Sequence, residues 1–338
     1  MTMELGLCII PTSLEATVEV AELAERGGIG WLGICDSPYL YAEPHACMQA
    51  AARATSAIRI GTFVTNPVTR HWTVQAAGFR ALEELAPGRG FLGIAAGDSA
   101  VHSVGLEPAS PAALEEYVAR VREHGPDGLE VMTAAGGPRS ARRAATYADH
   151  LVLGQGASEG AISFLASLAA EARAEAAAAP PELALWAFML LGLADGEAEV
   201  EATRGDIAAA VVAYSRQAFD FTFEGKAVPE DLQEPLRRLY EQYSFEEHST
   251  PGESRNARLL RGEGGPDLGS FLFERFALVG EPEAVAERLR AVLDSTGLQR
   301  IFLSAISADP VTLTRLLVDR LVPRLDQRSN SVATTKGV

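Results

Sequence analysis

Lysine is almost missing from this chain: Lys226 and Lys336 are the only two among 29 basic residues, and the rest are arginine. With abundant alanine and glycine, that bias reflects a GC-rich coding sequence rather than a binding surface. Positive charge as a whole is short. The 29 basic residues face 45 acidic ones, a net charge of −16. Phosphate-bearing polymers and surfaces need clustered positive charge, so nucleic acid and anionic membrane are excluded as bulk partners. Cysteine is scarce too: Cys8, Cys35 and Cys47 are odd in number and lack metal-ligand spacing, which argues against a disulfide framework. No two histidines stand at ligand spacing, so no metal is expected. No apolar run approaches the ~18 residues of a membrane helix. Met1–Leu5 has no basic start followed by an apolar stretch, unlike a signal peptide. A reduced, cytoplasmic setting is the expectation.

What is present is a large apolar fraction, 47% of 338 residues, enough for one α/β barrel or two ordinary domains. Strand-like and helix-like stretches alternate. Glu4–Ile10 reads as a first strand stopped by Pro11, then Thr12 or Ser13 caps a helix over 14–26. Within that helix Val20, Leu23, Ala24 and Gly27 lie on one face. Further strands are expected at 30–35, 58–64, 88–96, 128–132, 149–153, 183–193 and 299–304, with helices between them. Eight strands alternating with helices is the count of a TIM (β/α)8 barrel. No domain boundary is visible, so residues 1–326 are read as a single barrel domain. Residues 197–269 break the rhythm and are read as an insertion over the barrel mouth. Residues 327–338 are polar and aperiodic and are read as a disordered tail.

Two strand ends carry the chemistry-bearing residues. One reads Phe63-Val64-Thr65-Asn66-Pro67-Val68-Thr69-Arg70-His71, the other Gly97-Asp98-Ser99-Ala100-Val101. Polar residues at the carboxyl ends of neighbouring strands joined by a helix mark where α/β proteins bind ligands. These segments, in this order and spacing, resemble the luciferase-like family of flavin- and deazaflavin-dependent oxidoreductases. Within it they are most similar to the methylenetetrahydromethanopterin-reductase-like branch. The likeness is strongest over 36–101 and 134–156, is poor over 197–269, and departs by a short segment between Leu114 and Leu129.

The resemblance implies a cofactor and its contacts. Ala135, Gly136, Gly137, Gly154 and Gln155 match turns that hold the cofactor phosphate in relatives. The bare backbone and helix N-terminus there suit an anion; otherwise these glycines only end strands tightly. Phe63-Val64 matches a non-prolyl cis peptide supporting the back of the ring, and Gly97 falls in the same strand-end set. Asp36, Asn66, Asp98 and His71 are candidates to orient ring or substrate or to move a proton. Each also has a local reading: cap or turn for the aspartates, cap or core for His71. His45 and His102 are further candidates to face the mouth. Ser37 stands where dehydrogenases of the family often have a histidine, which favours reduction of a C=C or C=N bond over alcohol oxidation. Aromatics at 214, 219, 221, 223, 240, 243 and 245 are read chiefly as the insertion's own core.

Three functions are consistent with this reading. The first is hydride transfer between coenzyme F420 and a small organic substrate. The second is an FMN-dependent monooxygenase, which needs a partner flavin reductase. The third is a flavin- or deazaflavin-binding protein without turnover. A homodimer is the assembly the resemblance implies.

Overall fold

The computed structural model describes residues 3–325 apart from 178, 263 and 264, so the expected tail lies outside the described residues. The strands are β1 (Glu4–Ile9), β2 (Trp31–Ile34), β3 (Arg59–Thr62), β4 (Gly90–Ile94), β5 (Glu130–Ala135), β6 (His150–Leu153), β7 (Ala184–Leu193), β8 (Ala277–Gly280) and β9 (Arg300–Ala305). All pair in parallel. β1 to β7 and β9 close a barrel, in the order β6-β5-β4-β3-β2-β1-β9-β7 with β7 returning to β6. The helices are α1 (Leu14–Arg26), α2 (Pro44–Ala54), α3 (Trp72–Leu85), α4 (Ser99–His102), α5 (Pro111–His124), α6 (Pro138–Ala145), α7 (Glu159–Glu175), α8 (Glu197–Phe219), α9 (Glu230–Glu241), α10 (Arg255–Gly262), α11 (Gly265–Phe276), α12 (Pro282–Thr296) and α13 (Pro310–Leu316). None is long and apolar enough to cross a membrane among the described residues.

All eight expected barrel strands are present, and three details differ. The insertion is not irregular: α8 to α11 are four helices, and they run to Phe276 rather than 269. A ninth strand, β8, follows directly on α11 and pairs with the far half of β7 through Leu190–Leu193. Four apolar residues continuing an apolar helix give no alternation by which to see a strand. β5 begins at Glu130 because Gly128 takes a positive φ of 73° ahead of it, and Ala134 and Ala135 belong to the strand rather than to the turn.

The barrel interior is aromatic. Trp31, Phe91, Trp186 and Phe302 pack at ring separations of 4.9–6.4 Å. Glycine makes the room: a Cβ on Gly6 would lie 2.6 Å from the Phe302 ring. At the strand amino ends the core is sealed by polar groups. Trp31 Nε1 donates to Glu4 (2.6 Å) and Trp186 Nε1 to His150 Nδ1 (3.1 Å). Glu130 takes His150 at 2.8 Å and Arg59 at 2.6 Å. That end is filled by structural pairs, which leaves ligand chemistry to the carboxyl end.

Candidate active site

At the carboxyl end of β2, Asp36 is buried and fully engaged. Its Oδ2 accepts from Thr65 Oγ1 (2.6 Å) and Arg70 Nε (2.7 Å), and its Oδ1 from Arg70 Nη2 (3.1 Å). Arg70 also reaches Glu43 at 3.0 Å. Burial works against the Arg70 cation, but the bonds and charge of Asp36 outweigh it and hold the guanidinium above its usual range. The forked pairing fixes Arg70 and Thr65 relative to each other. Asp36 therefore organises the mouth through its neighbours.

Beyond β3 the Phe63–Val64 peptide is cis, without a proline. The Phe63 ring stacks on Phe302 at 4.3 Å and faces Phe188 at 5.7 Å, and its carbonyl accepts from Cys8 Sγ at 3.7 Å. The next residues build a turn. Asn66 Oδ1 accepts from the Val68 and Thr69 amides (3.0 and 2.8 Å), and its Nδ2 donates to Thr69 Oγ1 (2.9 Å). Asn66 is an Asx turn residue with its polar atoms spent locally. His71 caps α3: its Nδ1 accepts from the Thr73 amide at 3.4 Å, and the ring is exposed. It lies with Pro67, Trp72, Tyr117 and Arg120 in a groove between α3 and α5. His45 is buried between α2 and α3, bonded to Gln75 at 3.2 Å. His71 thus takes the cap position, one of the two local readings open to it, while Asn66 closes a turn and His45 bonds between two helices.

Asp98 does the reverse. It stands at the cap position of α4 but makes no capping bond. Its carboxylate pairs with Arg216 of α8 and accepts from Gln217 Nε2 at 3.2 Å. Gly97 beside it has φ +98°, which permits this strand-end turn. Arg216 also binds Asp220 (2.8 Å) and lies over the Tyr243 and Phe245 rings at 5.0 and 4.6 Å. Phe245 packs on His102 at 4.3 Å, and His248 Nδ1 meets the Tyr41 hydroxyl at 3.3 Å. Burial pushes His248 down to about 4, against the opposing pull of the Asp98 carboxylate and with the Arg216 charge adding to it. Tyr214 bonds Ser304 on β9 at 2.9 Å. The insertion thus rests on the strand ends through Asp98, Tyr41 and Ser304. Of its aromatics, Phe219, Tyr240 and Tyr243 are buried in its own core and Phe221 is exposed.

The glycine turns after β5 and β6 meet here as well. Gln155, buried, donates from Nε2 to the Gly136 carbonyl (2.9 Å) and so ties one turn to the other. A side chain at Gly136 would start 2.7 Å from the Gln217 carbonyl, so the end of α8 seats directly on the turn. Ala135 is the last, buried residue of β5, and Gly154 donates its amide to the Ala135 carbonyl at 3.2 Å. Gly137 caps α6 with Pro138 at its first position.

Two buried cations stand at these turns. Lys226 Nζ is 3.7 Å from where a Gly137 side chain would begin, and donates to the Ala218 carbonyl. Arg275 donates to the Gln155 carbonyl (2.7 Å), the Gln155 amide oxygen (3.3 Å) and the Lys226 carbonyl (2.8 Å). Burial, with Arg275 adding to it, brings Lys226 down to about 8, and burial brings Arg275 down to about 10. No carboxylate among the described residues offsets either charge. A buried charge without a counterion is costly unless a ligand supplies one. Two cations without a carboxylate partner beside the start of α6 are the feature of these turns that suits an anion, since the Gly137, Gly154 and Gln155 amides are bonded within the protein.

The family model described as luciferase-like monooxygenase matches residues 3–125 and 119–300. The chain belongs to that family. Among curated relatives, the 5,10-methylenetetrahydromethanopterin reductase of Methanolobus tindarius is 29% identical over 123 residues, 36% of this chain. The match spans 37% of that relative's length. Among solved structures, the coenzyme F420-dependent tetrahydromethanopterin reductase of Methanopyrus kandleri superposes with TM-score 0.71 at 17% identity, covering 96% of this chain and 100% of that one. EDTA monooxygenase of Chelativorans sp. BNC1 gives 0.64 at 16%, covering 97% and 95%. These likenesses establish the luciferase-like barrel.

Sequence reasoning missed Lys226, Arg275 and Arg216. All three lie in or beside the insertion, where the family likeness is weakest. One signal was available: Lys226 is one of only two lysines in an arginine-rich chain.

Proposed function

We propose that the chain is an F420-dependent oxidoreductase that transfers a hydride between the deazaflavin and a small organic substrate, in the direction of C=C or C=N reduction. The observation that carries this reading is the pair of uncompensated cations, Lys226 and Arg275, at the glycine turns where the family's cofactor phosphate is expected. Structural neighbours named as F420-dependent support F420, and relatives named as methylenetetrahydromethanopterin reductases support reduction. Ser37 after Asp36 supports reduction, because no imidazole stands there to take a hydroxyl proton.

The residues present fit the cofactor. Gly136, Gly137, Gly154, Gln155, Lys226 and Arg275 would hold its phosphate, and the Phe63–Val64 peptide would support its ring. When bound, the cofactor supplies the hydride chemistry itself. The chain's share is placement. Asp36 fixes Arg70 and Thr65 at the mouth, and the Asp98–Arg216 pair holds α8 and the Tyr243–Phe245 aromatics over it, which excludes water. The test is to follow the absorbance of reduced F420 with a panel of unsaturated and imine substrates. Oxidation that depends on substrate supports the reading; oxygen uptake with reduced FMN instead, given a flavin reductase, moves the chain to the monooxygenase branch. Cofactor binding without turnover in either assay leaves a binding protein.

A further inference from the structure

Cys8 on β1 and Cys35, one residue past β2, bring their sulfurs to 3.6 Å inside the barrel. Cys8 is buried against Trp31, Phe63, Phe302 and Val152, and its thiol donates to the Phe63 carbonyl. Cys35 is only half-buried and is the sulfur that solvent reaches first. The third cysteine, Cys47, is buried in α2 and outside this pair. We propose that Cys8 and Cys35 are a modification site, a dithiol that hydrogen peroxide oxidises to an intramolecular disulfide against the Phe63–Val64 peptide.

Geometry and chemistry both lead there. An S–S bond is ~2.05 Å long, so sulfurs 3.6 Å apart have a short way to close, which side-chain rotation must supply because the Cys35 amide is held by the Ile9 carbonyl at 3.0 Å. The hydrogen bond with Cys35, followed by burial, pushes the Cys8 thiol up. Cys35, the less buried of the two, is the attacking cysteine, and buried Cys8 the resolving thiol. The Cys35 sulfur attacks one peroxide oxygen, the O–O bond breaks, and hydroxide leaves to become water. Cys8 then attacks the resulting Cys35 sulfenic acid; the S–S bond forms, the S–O bond breaks, and the departing hydroxide takes the Cys8 proton. Both thiols are oxidised to one disulfide and one peroxide is reduced to two waters. The peroxide is an external oxidant, so the proposal does not rest on the function proposed above.

The experiment treats the full chain with hydrogen peroxide, then denatures it in iodoacetamide and maps labelled cysteines by mass spectrometry, with and without prior reduction. The expected result is that Cys8 and Cys35 lose their label together, regain it on reduction, and leave Cys47 labelled throughout. In Cys8→Ser, Cys35 should instead be trapped by dimedone as the sulfenic acid. Labels that persist on both residues, independent loss, or a disulfide between two chains would overturn the proposal. The readout is indifferent to activity, so its failure and that of the F420 reading are distinguishable.

Discussion

At the scale of single residues, the least comfortable group in the molecule is Lys226. Its ammonium is buried without a counterion and held down to about 8. A lysine so depressed keeps its proton in the unfolded chain at pH values where the folded chain has lost it. Stability should therefore rise with pH between about 8 and the ordinary lysine value of 10.5. Below that window the buried charge is a full cost. Replacing it as Lys226→Met should raise Tm at neutral pH and abolish this segment of the pH–Tm curve, while weakening binding of inorganic phosphate. Equal phosphate affinity in the variant would remove Lys226 from the cradle. A second residue-scale expectation concerns the barrel interior. Gly6→Ala places a methyl 2.6 Å from the Phe302 ring, and overpacking of this kind costs ~1–3 kcal/mol, measurable by urea denaturation. The cap reading of His71 was available from the sequence, since a polar residue before an apolar-periodic helix is a common signal; that the Asn66 amide closes a turn onto Val68 and Thr69 shows only in the fold.

At the scale of elements, α8 is the piece that converts an open barrel mouth into a covered one. Beyond its apolar packing with Leu190, Ala277 and Ile306, its hold on the mouth is Arg216 to Asp98, Tyr214 to Ser304, and the Gln217 carbonyl against Gly136. Arg216→Ala strands Asp98 and frees the Tyr243–Phe245 aromatics. Limited proteolysis within 241–254 should then be faster by an order of magnitude, on the order of 1.4 kcal/mol of local opening, with the barrel core undigested. Unchanged cleavage would mean that the clasp lies elsewhere. Acid should act similarly. His248 is held down to about 4 from an ordinary 6.5, so the unfolded or opened state takes up the proton first, and stability is lost as pH falls through that interval. His248→Gln should flatten the acid limb of the same proteolysis profile. The strands and outer helices were legible because apolar periodicity and caps such as Ser13 and Ser110 survive in a single sequence. The covering helices were legible only as an interruption. What joins α8 to the mouth is a set of pairs far apart in the chain, such as Asp98 with Arg216, 118 residues away, and spacing along the chain does not encode those.

At the scale of the whole molecule, the two ends of the barrel have been given opposite tasks. The amino end is closed by paired groups, Glu4 with Arg300 and Glu130 with Arg59 and His150. The carboxyl end collects unpaired cations under a helical cover. On the function proposed above, the anion of a bound cofactor would sit at the glycine turns and would be the partner that Lys226 and Arg275 lack among the described residues. The measurement that tests this most directly is equilibrium binding of oxidised F420 and of FMN, read by the fluorescence of Trp31 and Trp186, in the unaltered chain, in Lys226→Met and in Gly136→Val. The account predicts tight F420 binding, weaker FMN binding, and a loss of at least tenfold, about 1.4 kcal/mol, in both variants. Binding of neither cofactor to the unaltered, folded chain, or binding that both variants leave untouched, would contradict it.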